Sequence, residues 1–297
     1  NSKIYVMKTI VIIHNLNSRG KNINEDYVRE LLNKKGMKFH YFQTKQISDV
    51  DEIIKKYNNP SEFQYCSIGG DGSLNALVNS LMKNNIILPE VSCLPGGSGS
   101  DFIRTFALPQ NIEQAVEHLD YDNFYEVDVG LIKNKTDAKY FINVLNIGFL
   151  ASTVEVSEKF PNLFRAFRYP LSFWIKIITA RAKEMSISNE KYEFTGMAFN
   201  ICVCNAQYFG GGWNISPKSS LQDGLFNIQV FAVTKLKAMQ IFFLAKKGLH
   251  LKESSVKLKR LSKLNVNSKD PIEIDGDFFG YGPAEIFIKK RAIRFKI

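Results

Sequence analysis

Up to about residue 120 the chain alternates short apolar runs with stretches of helical periodicity. Lys8 to His14 is a β-rich run ending at Asn15, residues 24–35 carry helical spacing that closes at Gly36, and Lys38 to Phe42 reads as a second strand. Ser48 with Asp51 has the spacing of a capping box, opening a helix that stops before Pro60. Phe63 to Ile68, then Gly69 to Gly72, then a helix through Met82 form a third unit. Val91 to Leu94, then Pro95 to Gly99, then a helix from Ser100 form a fourth, and Asn111 with Gln114 caps one further helix. Strands and helices in alternation predict a mainly parallel sheet with helices on both faces. Ligands of such sheets bind beyond the carboxyl ends of the strands, where Asn15–Lys21, Gly69–Ser73 and Pro95–Asp101 converge.

From Tyr125 the pattern changes. Val127–Ile132, Lys139–Ile147, Tyr192–Cys204, Leu225–Val233, Leu258–Val266, Ile272–Ile274, Ile286–Lys290 and Ile293–Ile297 alternate or favour β-branched and aromatic residues. They predict an antiparallel sandwich or barrel, interrupted by helical segments at about 150–185 and 236–247. The expected organisation is therefore a three-layer α/β domain over residues 1–126 and an antiparallel β-sandwich over 127–297. The last strand, about 284–297, is one that can return to the first domain.

Size and composition change this picture little. The 297 residues allow two domains, and 45% apolar with 23% charged residues suits folded globular structure. A net charge of +10 favours phosphorylated ligands or anionic lipid as much as a merely solvated surface. No stretch reaches the roughly 18–20 apolar residues that span a bilayer; Leu171 to Ala180 is too short and contains Lys176. The beginning of the sequence has no apolar core with a cleavage site, and Cys66, Cys93, Cys202 and Cys204 fall in strand-like runs without zinc spacing, so reduced thiols and a cytoplasmic location are expected.

The chemistry gathers at the glycine turns. In Gly69-Gly70-Asp71-Gly72-Ser73-Leu74-Asn75, missing side chains let backbone N–H groups approach an anion, and the next helix points its unpaired N–H groups at the same place. An aspartate there repels bare phosphate but suits a phosphate bridged by Mg²⁺. Pro95-Gly96-Gly97-Ser98-Gly99-Ser100-Asp101 repeats the strand–glycine–helix transition, with Asn15 and Ser18 at a third loop. A P-loop GxxxxGK[ST], the protein-kinase motifs and a GxGxxG after the first strand are all missing. His14, His40, His118 and His250 have no serine or cysteine elbow to serve.

These loops, with a distant Asp275-Gly276-Asp277, resemble the diacylglycerol kinase catalytic-domain family, and most closely its soluble bacterial lipid kinases. The likeness is strongest at Gly69–Asn75 and Pro95–Arg104 and extends in order to Ser220–Leu225 and Ile274–Asp277. It implies an N-terminal nucleotide domain, a C-terminal sandwich, ATP and Mg²⁺, and a lipid hydroxyl as phosphoryl acceptor. Carried over residue by residue, Asn15, Ser18, Gly69, Gly70, Asp71, Gly72, Ser73, Asn75 and Ser98 match nucleotide-binding positions, with Thr44 a weaker match. Asp71 matches the position that organises the catalytic Mg²⁺ and Asp275 the general base. Asp223, with the carbonyls of Ser220 and Leu225, matches a structural magnesium site. Three departures stand out: Asn15-Leu16-Asn17-Ser18-Arg19-Gly20 replaces the family's Asn-Pro-x-Ser-Gly, Ser100 replaces Asn, and Asp277 replaces Glu, which shortens that side chain by one methylene.

Between Glu155 and Met185, Phe160, Phe164, Phe167, Tyr169, Phe173 and Trp174 are interleaved with Lys159, Arg165, Arg168, Lys176, Arg181 and Lys183. The mixture suits a helix resting on anionic lipid or one packed on the sandwich with its charges solvated. Lys257 to Lys263 alternates like a strand with one basic face. The expected function is an ATP- and Mg²⁺-dependent lipid kinase that associates peripherally with membranes and binds no nucleic acid. A homodimer and the identity of the lipid stay open. NAD kinase, whose family also carries a GGDG loop, and a silent nucleotide- and membrane-binding regulator are the rival readings.

Overall fold

The computed structural model of the chain describes residues 8–18, 23–97, 100–160 and 168–297. Ser98 and the segments Arg19–Gly20 and Phe164–Phe167 lie outside the described residues. The chain divides into two compact units, Asn1–Val127 with Arg291–Ile297 and Asp128–Lys290.

The first unit is an α/β layer structure. Strands β1 (Thr9–Asn15), β2 (Phe39–Thr44), β3 (Phe63–Gly69) and β4 (Glu90–Pro95) lie parallel in the order β2-β1-β3-β4. The end of the last strand, β16 (Ala284–Lys296), joins β4 in parallel through Arg294 and Phe295. Helix α1 (Glu25–Lys34) begins on Asn24, whose Oδ1 accepts from Asp26 N at 2.8 Å. Its Val28 and Leu32 pack with Ile10, Ile12 and Ile68 and with Ala115 and Val116 of α5 (Ile112–His118). Asn111 caps α5 as its spacing predicts, accepting from Glu113 N at 2.8 Å. Helix α2 (Ile47–Lys56) begins two residues before a Ser48 cap would start it. The Asp49 carboxylate reaches back to Lys45 N at 2.8 Å and Gln46 N at 3.1 Å, so Gln46 is the cap. Helix α3 (Asp71–Lys83) follows β3 after Gly70, and α4 (Asp101–Thr105) follows β4 five residues on.

Strand β5 (Phe124–Lys133) carries the chain into the second unit, which holds two antiparallel layers and, among the described residues, three α-helices. One sheet runs β12 (Val256–Leu261), β11 (Phe226–Phe231), β10 (Asn200–Cys204), β7 (Val144–Gly148), β14 (Pro271–Ile274), β15 (Asp277–Tyr281). The other orders β16, β13 (Lys263–Val266), β8 (Lys183–Asn189) and β9 (Tyr192–Ala198), with β6 (Ala138–Phe141) on β5. Side chains alternate across β10: Ile201 and Val203 enter the core between the layers, where they meet Phe141, Met185 and Ile286. Cys202 and Cys204 face the opposite way, toward α6 (Phe149–Glu158), α7 (Arg168–Thr179) and α8 (Lys235–Ala245).

Several apolar runs break at corners. Tyr192–Cys204 is two strands in different layers, with Phe199 at the turn, and Leu258–Val266 splits between Leu261 and Lys263. Among the described residues of the stretch 150–185, α6 and α7 precede the start of β8, and the two C-terminal runs form one strand in which Arg291 takes φ +47°.

Candidate active site

In the first unit the carboxyl ends of β1, β3 and β4 hold the two glycine turns against each other. Gly96 N donates to Gly69 O at 2.9 Å. A Cβ on Gly97 would stand 2.3 Å from Gly70 Cα, and one on Gly69 2.2 Å from Ser73 Oγ. Gly97 is required by backbone contact, and Gly69 by its contact with the Ser73 side chain. Gly72 differs, because a Cβ there would meet nothing within 4 Å and its φ is ordinary. It lies exposed in the first turn of α3, which no side chain caps.

The carboxylate of Asp71 ties the turns together, accepting from Asp101 N and Phe102 N at 2.9 Å each. Asn15 Nδ2 donates to Ser73 Oγ at 3.0 Å, and Ser18 Oγ donates to Gly96 O at 3.0 Å. Thr44 is buried, its hydroxyl on His14 O at 3.3 Å. Asn75 is buried one turn inside α3, where Asn79 Nδ2 donates to its Oδ1 at 2.8 Å. The residues that line the open space are thus Asn15, Ser18 and Gly70 to Ser73, while Thr44 and Asn75 support them from below. His14 is buried against the Tyr41 hydroxyl at 2.8 Å, and burial lowers its pKa.

In the second unit Asp275 occupies the turn between β14 and β15 with φ +49°. Its carboxylate accepts three backbone N–H groups: Ile142 at 2.7 Å, Asn143 at 2.9 Å and Val144 at 3.0 Å. Asp277, one residue past Gly276, is exposed and pairs with Lys139 Nζ at 3.2 Å. Behind this turn lies a residue that the motifs do not mark. Glu273 is buried, with Oε1 accepting from Gly276 N at 3.0 Å and Oε2 from Asn146 Nδ2 at 2.8 Å. Burial, with Asp275 and Asp277 adding to it, pushes its carboxyl up to about 8, against the pull of those two hydrogen bonds. A charged residue inside the apolar triplet Ile272-Glu273-Ile274 is the signal that could have found it.

A model of the diacylglycerol kinase catalytic domain matches residues 9–132, and a model of the YegS C-terminal NAD kinase beta sandwich-like domain matches residues 143–296. The chain belongs to the diacylglycerol kinase catalytic-domain family. Among relatives of this family, a Staphylococcus haemolyticus diacylglycerol kinase is 28% identical over 232 residues, covering 76% of this chain and 68% of the relative. A diacylglycerol kinase of Staphylococcus carnosus is 26% identical over 293 residues, 95% of this chain and 92% of the relative. The fold is also that of a solved Bacillus anthracis structure described as a diacylglycerol kinase, with a TM-score of 0.74 at 18% identity, covering 99% of this chain and 98% of that one.

Both cation positions expected from the family can be tested against the residues present. Asp71 fits a Mg²⁺ that arrives with a nucleotide, since that ion commonly takes one or two carboxylates and completes its shell with phosphate oxygens and water. Among the described residues no group of three or more acidic, histidine or cysteine side chains gathers for a metal, at Asp71 or at any other place. The loop from Ser220 to Leu225 fits a divalent ion poorly as it stands. Asp223 Oδ1 accepts from Leu225 N at 2.9 Å, and its Oδ2 is held by the Arg260 guanidinium. The Lys290 ammonium lies 3.0 Å from where a Cβ on Gly224 would sit. A divalent ion there would have to displace Arg260.

Proposed function

We propose that this chain is a lipid kinase that transfers the γ-phosphoryl group of ATP to the hydroxyl of diacylglycerol or a related lipid. The observation that carries the proposal is Gly72, which steric contact does not require and which opens the start of α3 to solvent. Together with Asn15, Ser18, Ser73 and Ser98, that surface is proposed to bind the triphosphate. Asp71 would hold the nucleotide's Mg²⁺, which offsets phosphate charge when bound. The lipid oxygen attacks the γ-phosphorus, the bond to the β–γ bridging oxygen breaks and ADP leaves. The hydroxyl proton passes to Asp275, with Asp277 beside it on the same turn. Three amides fix the Asp275 carboxylate in one orientation, which supports a positioned acceptor. Ser220, Asp223 and Leu225 are proposed as a structural Mg²⁺ site only if Arg260 swings away. Action at a membrane surface follows from the lipid acceptor; among the described residues no helix is long and apolar enough to cross a membrane.

An acceptor screen tests this reading. Purified protein, labelled ATP and Mg²⁺ are combined with detergent micelles of diacylglycerol and related lipids, and in a parallel arm with NAD. Label in a lipid is expected. Label in NAD alone favours the NAD kinase reading suggested by the sandwich domain's description, and label in neither contradicts both.

A further inference from the structure

The loop from Ser219 to Leu225 leads into β11 and is tied down by protein groups along its length. Asn227 Nδ2 donates to Ser219 Oγ at 3.0 Å, and Asp128 N donates to Leu221 O at 2.6 Å. The fully buried Asp128 carboxylate accepts from Gly224 N at 2.7 Å. Asp223 Oδ1 turns forward to Leu225 N, closing the turn in which Gly224 takes φ +69°. Arg260 on β12 stands opposite Asn227 on β11, so the two side chains share a face of the sheet. From there the guanidinium reaches Asp223 Oδ2, and Lys290 brings its ammonium against Gly224.

The Arg260–Asp223 pair is partly exposed, with side chains 53% and 24% accessible, so as a stabilising bond it is weak. Its consequence is for ions. A divalent cation at this loop would have to take Asp223 Oδ2 from the guanidinium and then stand beside the Lys290 ammonium. Like charges at such short range oppose it. The opposing attraction is small, because Asp223 is the one carboxylate of the expected ligand set and Oδ2 of Asp128 is already engaged. Mg²⁺ sheds its own water reluctantly and gains little from a single carboxylate that is already neutralised.

We infer that the Arg260 guanidinium is the resident counter-ion of this loop, so that the native loop holds no divalent cation and gains a site for one only when Arg260 is removed. The inference takes from the lipid kinase reading only the expectation of an ion at residues 220–225. It leaves Asp71, and the ion that arrives there with a nucleotide, untouched. The fold of the second unit then owes nothing to magnesium, and a chelator stops turnover without loosening the loop.

Mn²⁺, a paramagnetic probe of magnesium sites, tests this without ATP or lipid. Free Mn²⁺ is titrated against metal-stripped protein by electron paramagnetic resonance, and thermal unfolding is followed in EDTA and in excess MgCl₂. Wild type and Arg260→Lys are expected to bind no more Mn²⁺ than Asp223→Ala does, and to unfold at the same temperature in both solutions. Arg260→Ala is expected to gain a site that binds Mn²⁺ about tenfold or more tightly than wild type, and to unfold at a higher temperature in MgCl₂ than in EDTA. Adding Asp223→Ala to that variant should abolish both gains. Arg260→Met, which keeps an apolar stem without the charge, should behave as Arg260→Ala does and guards against a folding defect. Mn²⁺ bound by wild type and lost in Asp223→Ala overturns the inference, because the ion then displaces the guanidinium. Arg260→Ala and Arg260→Met that fold yet gain no ion overturn it as well. Protein that labels no lipid in the acceptor screen would sink the kinase reading and leave these ion titrations standing.

Discussion

Two Asp-Gly turns, Asp71-Gly72 in the first unit and Asp275-Gly276 in the second, look alike in sequence and are built differently. Both aspartates bind backbone N–H groups of a distant segment, two for Asp71 and three for Asp275. Their glycines part company. Gly276 takes φ +92°, a conformation that L side chains rarely adopt, so its turn needs glycine for geometry. Gly72 is helical and unobstructed, so its chain geometry would accept alanine. The difference separates a glycine kept for the backbone from one proposed to leave space for a ligand.

Asp275→Ala should have the largest effect on stability. Three N–H groups lose their acceptor, which costs about 3 kcal/mol or more by urea denaturation, and turnover should vanish. Asp275→Asn keeps an acceptor and tolerates the left-handed φ, so it should recover most stability and no activity. Full activity in Asp275→Asn would remove Asp275 as the proton acceptor. Asp71→Ala frees two N–H groups and should cost about 2 kcal/mol, with loss of nucleotide binding.

Glu273 gives the second turn a pH dependence. Its carboxyl is raised to about 8 in the folded chain, so the folded state holds an extra proton above the unfolded carboxylate pKa of 4.5. Its contribution to stability is full below that unfolded value and is lost as pH rises through about 8. Glu273→Gln should therefore gain stability relative to wild type between pH 5 and 8; parallel denaturation curves at the two pH values would refute the raised pKa. The smallest stability changes come from the glycines: Gly276→Ala should lose about 1–2 kcal/mol and Gly72→Ala should be neutral or gain up to about 1 kcal/mol.

The α/β half was legible because glycine and proline punctuate it after nearly every strand. Asn24, Asn111 and the Gly69–Ser73 turn stand where local rules put them. The second half was harder. The start of β8 (Lys183–Asn189) read as the end of the helical stretch at about 150–185 because its partner strands are distant, and Asp277–Tyr281 gave no strand signal. The site's carboxylate contacts were hidden for the same reason. Asp71 meets Asp101 only because β3 pairs with β4, and Asp275 meets residues 142–144 only because β14 pairs with β7. Motif residues could be matched singly, whereas Glu273 and Arg260 acquire their roles through neighbours that are far away in sequence.

Phosphoryl transfer by wild type and Gly72→Ala, measured side by side with labelled ATP, Mg²⁺ and diacylglycerol micelles alongside a denaturation curve for each, tests the account most directly. The wild type should label the lipid, and the variant should lose about tenfold or more in turnover while folding at least as stably. Equal labelling by the two proteins would contradict a phosphate held against Gly72.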